Sequence, residues 1–422
     1  MSVYYVANNG NDNNDGLSPA TPWQTISKVN ACHQGGDKIL FKRGDTFYGT
    51  IESKSGIDLS HPTVYSSYGE GNKPVVSQYK TVKKGAWEQV SDNVYRVDLY
   101  DENNYIGNRL QKDKNVGFLE IDGKIFYKKK FALDELAEQW DFYCNDYDSE
   151  SPFVYVYSVA SPDAMCDTFS AACNIHGSYL KNYLRFENLN FTGMGGHGIC
   201  ESGKQVVISH CEFHRIGGSC LISHWRPNTR YGNGVEAWSD SSDILVEHCR
   251  FSDIYDVAMT MQGTPVHTSW ENIYFRYNTV WNCVQAFEVW SAHDGDFAPD
   301  TGFVNCRFEY NTCMHTGYCW GYEARPNKEC SAHLLMYSLC CPRCDVHVCH
   351  NLFYGARVSS IFKRNGPQEI PDDYKIYDNT FVKAADQPIA LPDASTTSEE
   401  LAAFEAKIAA NNRIVELPLN VD

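Results

Sequence analysis

Two short segments of this chain place an acid inside an apolar run, with tryptophan two residues later: Gly234-Val235-Glu236-Ala237-Trp238 and Ala286-Phe287-Glu288-Val289-Trp290. Between them, the segment YDVAMTMQG supplies Asp256, Thr260 and Gln262. Successive side chains of an extended strand point to opposite faces. Val235, Ala237, Val257, Met259, Met261, Phe287 and Val289 then share an inner face, and Glu236, Trp238, Asp256, Thr260, Gln262, Glu288 and Trp290 an outer one. Carboxyl groups beside aromatic planes suit glycosidic-bond hydrolysis, which takes one acid and one base or nucleophile, with rings to stack on the sugar. Glu236, Asp256 and Glu288 are the catalytic candidates, and Trp238, Gln262 and Trp290 the substrate contacts.

If the three strands lie in successive layers, carboxylates one layer apart are separated by about 5 Å, the spacing for retention. Two layers give about 10 Å, at the upper edge for inversion. Asp256 with either glutamate suits the first, and Glu236 with Glu288 the second. Crowding also raises the pKa of one carboxyl, as a general acid needs. A lone outward glutamate is ordinarily just solvated; the repeated Glu-x-Trp on neighbouring layers is what argues for a site. Nearby loops add His224 and Arg226 in HWRPNTRYGNG, His293, Asp294 and Asp296 after Trp290, and Glu323 with Arg325, read as an ion pair beside the same groove.

The elements that position these residues come from an internal repeat. RFENLNF, VISHCEF, LVEHCRF, YFRYNTV, FEYNTC, HVCHNLF and KIYDNTF align by eye from about residue 183. The residue two before the closing apolar position is Leu189, Cys211, Cys249, Asn278, Asn311, Asn351 and Asn379, at separations of 22 to 40 residues. Most are followed by a bend and a second short strand. This irregular spacing without helical periodicity predicts a parallel β-solenoid rather than a helical array, sandwich or propeller. The column of Asn and Cys residues predicts a buried side-chain ladder.

The opening YYVANNGNDNNDGLSPATPWQTISKVN, the following GDKILFKRGDTF and the repeats together resemble right-handed parallel β-helix proteins of the pectate-lyase-like superfamily, over residues 1 to about 392. The resemblance implies an all-β, right-handed parallel β-helix with loop insertions. It specifies the fold better than the reaction, since relatives include lyases, hydrolases, epimerases and binding proteins. Residues 84–182 lack a clean repeat and are expected to hold coil strands plus an insertion near the cleft. Residues 393–422 are expected to form a helical cap and tail, with Ser398 as N-cap. A lyase, the second functional reading, takes Arg357, Lys363 and Arg364 as its basic group; no calcium-binding aspartate cluster of the pectate-lyase kind is evident. A non-catalytic carbohydrate-binding solenoid is the third.

Composition narrows these readings. The 422 residues suggest two or three domains, yet no linker divides them, which fits one elongated domain. A net charge of −17 disfavours nucleic acid, anionic membranes and polyuronates, and favours neutral oligosaccharide or polysaccharide. Aromatics reach 14%, with 27 Tyr and 9 Trp. The 17 cysteines read as reduced buried thiols, and with no export signal at MSVYYVANNG this predicts a cytoplasmic protein, secretion after leader removal being the alternative. Cys340, Cys341, Cys344, Cys349 and His350 raise zinc, but a second well-spaced pair is missing. Asn8 to Gly16 reads as a turn rather than a calcium loop, for want of the terminal glutamate. No phosphate-loop or dinucleotide motif is present, so no cofactor is expected. Oligomeric state is left open.

Overall fold

The structure is a computed structural model that describes residues 1–146, 150–222, 228–264, 267–292, 297–339, 341–364, 371–392 and 396–418, without the side chains of 338 and 364. His224, Arg226, His293, Asp294, Asp296 and Cys340 lie outside the described residues.

The repeats wind into a parallel β-helix of three long sheets. The first has ten strands, from Val3–Val6 to Tyr374–Tyr377, and the second ten, from Thr46–Tyr48 to Arg413–Glu416. The third has eight: Ser178–Tyr179, Ile199–Cys200, Val235–Trp238, Val257–Gly263, Gln285–Ser291, Ala332–Leu339, Ser359–Arg364 and Ala390–Pro392. Apolar residues at alternate positions fill the interior, where Phe191, Phe213 and Phe251 stack at 5.1 and 5.0 Å. Stacking identical rings on successive coils buries large apolar area in register, which fixes which face of each strand looks outward.

The predicted column forms at the bend between the first and second sheets. The Asn278, Asn311, Asn351 and Asn379 Oδ1 atoms accept from the backbone N–H of Cys249, Asn278, Asn311 and Asn351 at 2.8–2.9 Å. Cys211 and Cys249 occupy the same column, fully buried. The residue before each column member, including His248, Tyr277, Tyr310 and His350, has φ of +54° to +57°. The stacked rings of His210, His248, Tyr277, Tyr310 and His350 line the outside of this bend.

Three regions differ from expectation. The chain between Ser77 and Ser178 contributes no strands to the long sheets; it forms two five-stranded sheets, mainly antiparallel, whose core centres on Leu119, Phe142, Val154 and Val156. Asn115 fastens this insertion to the helix, exchanging hydrogen bonds with the backbone of Cys220 at 2.7 and 3.0 Å. The helix Ser398–Asn411 is capped by Thr397, one residue earlier than Ser398, through a capping box with Glu400. The chain beyond it is not a tail: Arg413–Glu416 joins the second sheet, and Asn412 Oδ1 accepts from Asn379 N, extending the ladder.

At the N-terminus, Asp12 accepts hydrogen bonds from Gln24 N, Thr25 N and Thr25 Oγ1, so the chain's own donors hold this turn. Cys341, Cys344 and Cys349 are buried, and the described residues include no cluster of three or more His, Cys, Asp or Glu able to hold a metal ion.

Candidate active site

Strand register sets the site. Glu236 lies opposite Thr260, and Thr260 opposite Glu288, so the glutamates occupy one outward row two coils apart. The next row out carries Trp238, Gln262, Trp290 and Tyr337 in order. The Trp238 and Trp290 rings come within 6.2 Å over Gln262, and Trp290 and Tyr337 within 6.4 Å.

These rows floor a cavity of about 1040 Å³. Its walls include Phe131 from the insertion, Tyr231 and Asn233 before the Glu236 strand, and Arg325 and Asn327 from a later loop. Glu236, Asp256, Glu288, Trp238, Gln262 and Trp290 all line it. Both tryptophans are half-buried in the cleft wall.

Asp256 does not stand one layer from each glutamate. Thr260 takes that place, and Asp256 lies at the corner before the Val257–Gly263 strand, so the 5 Å pairing by strand register does not arise. Its carboxylate is instead 2.9 Å from Arg325 Nη1. Arg325 therefore pairs with Asp256, not Glu323. Glu323 lies outside the cavity lining, paired with Arg357 at 2.9 Å and Lys328 at 3.1 Å.

The two glutamates are buried, at 4% and 9% exposure, in different company. Glu236 Oε2 accepts from Asn233 Nδ2 at 2.9 Å and Gln262 Nε2 at 2.5 Å. His197 Nε2 is 3.5 Å from the same oxygen. Because Asn233 N donates to His197 Nδ1 at 2.9 Å, the neutral ring carries its proton on Nε2, facing Glu236. Burial pushes this histidine down to about 4, with Asp256 opposing, so it is neutral at physiological pH.

Burial also pushes the Glu236 carboxyl up to about 7, aided by the charge of Asp256 and opposed by the Asn233 and Gln262 donors. Glu288 has Thr260 on one side of its row and Leu335 on the other. Burial first, then Asp256, raise it to about 8 against the pull of Arg325. The site thus holds one carboxyl that accepts from two amides and another set between Thr260 and Leu335 beside the Asp256–Arg325 pair.

Two members of the basic group suggested for a lyase, Arg357 and Lys363, are placed away from the cavity. Arg357 binds Glu323 and stacks 3.7 Å over Tyr322, and neither it nor Lys363 lines the cavity. Arg364 pairs through its backbone with Tyr337.

Sequence reasoning missed His197, Asn233, Arg230, Tyr231, Asn327 and Tyr337. Tyr337 carried a readable signal, since alternation in His333-Leu334-Leu335-Met336-Tyr337 sends Leu335 and Tyr337 outward. Arg230 and Tyr231 form a two-residue strand paired with Ser219–Cys220, too short to show a period, and the others lie on corners and loops.

A family model described as "Right handed beta helix region" matches residues 169–396. A lacto-N-biosidase of Bifidobacterium longum subsp. longum is 36% identical over 97 residues, covering 21% of this chain and 6% of that protein. The chain therefore spans only a small part of that relative's length. A solved complex of XylC with xylose overlays with a TM-score of 0.55 at 12% identity, covering 98% of this chain and 82% of the other. A GH136 lacto-N-biosidase structure from Eubacterium ramulus gives 0.38 at 12% identity, over 99% and 68% of the two chains. At 12% identity the likeness to the XylC complex is one of fold.

Proposed function

Because the chain belongs to the right-handed β-helix family, whose model matches more than half of it, and carries two buried glutamates in one row of a cleft, we propose that it is a glycoside hydrolase acting with inversion on a neutral oligosaccharide. The observation that carries this reading is the two-coil separation of Glu236 and Glu288. It corresponds to about 10 Å between strand positions, near the span that leaves room for a water beside the sugar.

In the proposed reaction Glu288, protonated near neutral pH, gives its proton to the glycosidic oxygen as the bond to the anomeric carbon breaks. A water oxygen bonds to that carbon from the opposite side, and its proton passes to Glu236. With Oε2 of Glu236 holding two amide donors, Oε1 is the atom left to take the proton. Asp256, paired with Arg325, supplies the fixed negative charge that helps keep both glutamates high.

The similarity to a lacto-N-biosidase supports a glycosidase. The arginines among the described lining residues are Arg230, which donates to the carbonyls of Gly117, Gly218 and Tyr127, and Arg325, which holds Asp256. Arg230 is held by the backbone and the charge of Arg325 is balanced by Asp256, which favours a neutral glycan over a uronate.

The test is a screen of neutral and acidic oligosaccharides read for reducing ends and ultraviolet absorbance together, with the first-formed anomer followed by NMR. New reducing ends without absorbance, and an inverted anomer, are expected. Absorbing products would establish a lyase, and no turnover would establish a binding solenoid.

A further inference from the structure

The two ends of the glutamate row differ in chemistry. Around Glu236 stand Asn233, Gln262 and the Nε2 of His197, all hydrogen-bonding groups. Past Glu288 the same row continues with Leu335 and then Phe362. These two form a small apolar cluster with Cys330 and Ala332, separate from the solenoid core, and Tyr337 and Leu391 pack against it. Cys330, Leu335 and Tyr337 also line the cavity, and Trp290 stands beside Tyr337. The cleft therefore has a polar pole at Glu236, while the row just C-terminal to Glu288 is apolar, with the Arg325–Asp256 pair beside it.

Inverting displacement gives these two ends different roles. The attacking water, the anomeric carbon and the leaving oxygen lie close to one line, with the base at one end and the acid at the other. The Glu236–Glu288 row runs from coil to coil, so that line follows the solenoid axis. Resting on the hydrolase reading above, we propose that the leaving portion of the substrate lies on Trp290, Leu335 and Tyr337 as an uncharged residue presenting an apolar face, while the attacking water lies at the Glu236 end. Water there has donors and acceptors to hold it, and a pyranose face at the other end covers apolar surface and excludes solvent from Glu288. The electron pair of the broken bond stays on the leaving oxygen, which takes the Glu288 proton. The new bond uses a lone pair of water, whose proton passes to Glu236.

The experiment compares each neutral disaccharide or trisaccharide of a panel with the glycosyl fluoride of the same non-reducing sugar, because fluoride leaves without filling a leaving-group subsite. In Tyr337→Ala, the loss of kcat/KM on the oligosaccharide is expected to exceed that on the fluoride by at least 10-fold. In Asn233→Ala, at the water end, the two losses are expected to match within about 3-fold. Both substrates are assayed on one preparation, so a partly folded sample lowers both rates alike and leaves the ratio intact. Tyr337→Leu, which keeps apolar packing on Leu335 and Phe362 but removes the flat ring, should show the same preference if Tyr337→Ala fails to fold. Equal losses in the position 337 variants, or a larger gap in Asn233→Ala, overturn the proposed polarity in an active hydrolase. A wild-type protein inert towards every pair overturns the hydrolase reading itself, and the proposal with it.

Discussion

Glu236 and Glu288 occupy one row of the third sheet with only Thr260 between them. Their spacing is set by backbone ladders rather than by loops, so it is held as firmly as the coils themselves. Replacing either with glutamine keeps its size and removes its proton chemistry. Each change should lower kcat by about 10²–10⁴-fold on oligosaccharides. On a glycosyl fluoride, whose leaving group needs no proton, Glu288→Gln should lose far less and Glu236→Gln just as much. Steady-state kinetics on both substrates checks the assignment, and the opposite pattern would exchange the roles of acid and base.

The same assignment fixes a pH profile. Activity needs Glu236 ionised and Glu288 protonated, so kcat/KM should rise as pH passes about 7 and fall as it passes about 8. The two carboxyls titrate as an interacting pair, and the limbs belong to the pair. A narrow bell centred between the two values is expected from rates measured over pH 5 to 10. A steady decline from pH 5 upwards would sink the idea.

Asp256 should govern the position of that bell. Its charge raises both glutamates, so Asp256→Asn should move both limbs to lower pH. It also leaves Arg325 buried without its carboxylate, at a cost of up to about 3 kcal/mol. Adding Arg325→Met should restore much of that stability, and the double-mutant cycle measures the coupling. Additive losses of stability would show that the pair is not a coupled unit.

Glu288 should also trade stability for its acid role. Its carboxyl sits at about 8 in the folded protein against an ordinary 4.5. Between those values the folded chain holds a proton that the unfolded chain has lost, so this contribution is complete below 4.5 and is lost as pH rises through 8. Glu288→Gln removes that dependence and should be more stable than the parent at pH 8, by up to about 4 kcal/mol, with little advantage near pH 4. Denaturant unfolding at the two pH values measures it, and an advantage equal at both would argue against a proton-linked origin.

Alternation made much of this architecture legible. In Val235–Trp238 and Phe287–Trp290 the inner positions must be apolar to fill the solenoid, so the outward acid and tryptophan stand out by contrast. The asparagine column could be read for a similar reason, because its members must be buried and must bond to the coils beside them. Asp256 was harder to place: it precedes its strand at a corner, where period-two reasoning no longer applies. Glu323 and Arg325 are two apart at the end of a short helix, a spacing that does not bring side chains together. Arg325 finds its partner 69 residues back, through the fold. His197 lies in a Gly-Gly-His-Gly corner with no period to betray it. Asn412 was hidden because a helix separates it from the rest of its column.

The column offers a ranked test of what holds the coils together. Asn311 Oδ1 accepts from both Asn278 N and Asn278 Nδ2, while its own Nδ2 donates to the Phe275 carbonyl at 2.9 Å and to Asn351 Oδ1 at 3.1 Å. Asn311→Ala leaves several buried groups without partners, each costing about 1–3 kcal/mol, so a loss of roughly 3–4 kcal/mol is expected after local relaxation. Cys249 stands in the same column, but its thiol makes only sulfur contacts at 3.3 to 3.6 Å. Cys249→Ala should therefore cost about 1 kcal/mol, the worth of a small buried group. Equilibrium denaturation of the two variants gives the comparison directly. Equal losses would mean that burial rather than the amide ladder secures this bend of the helix.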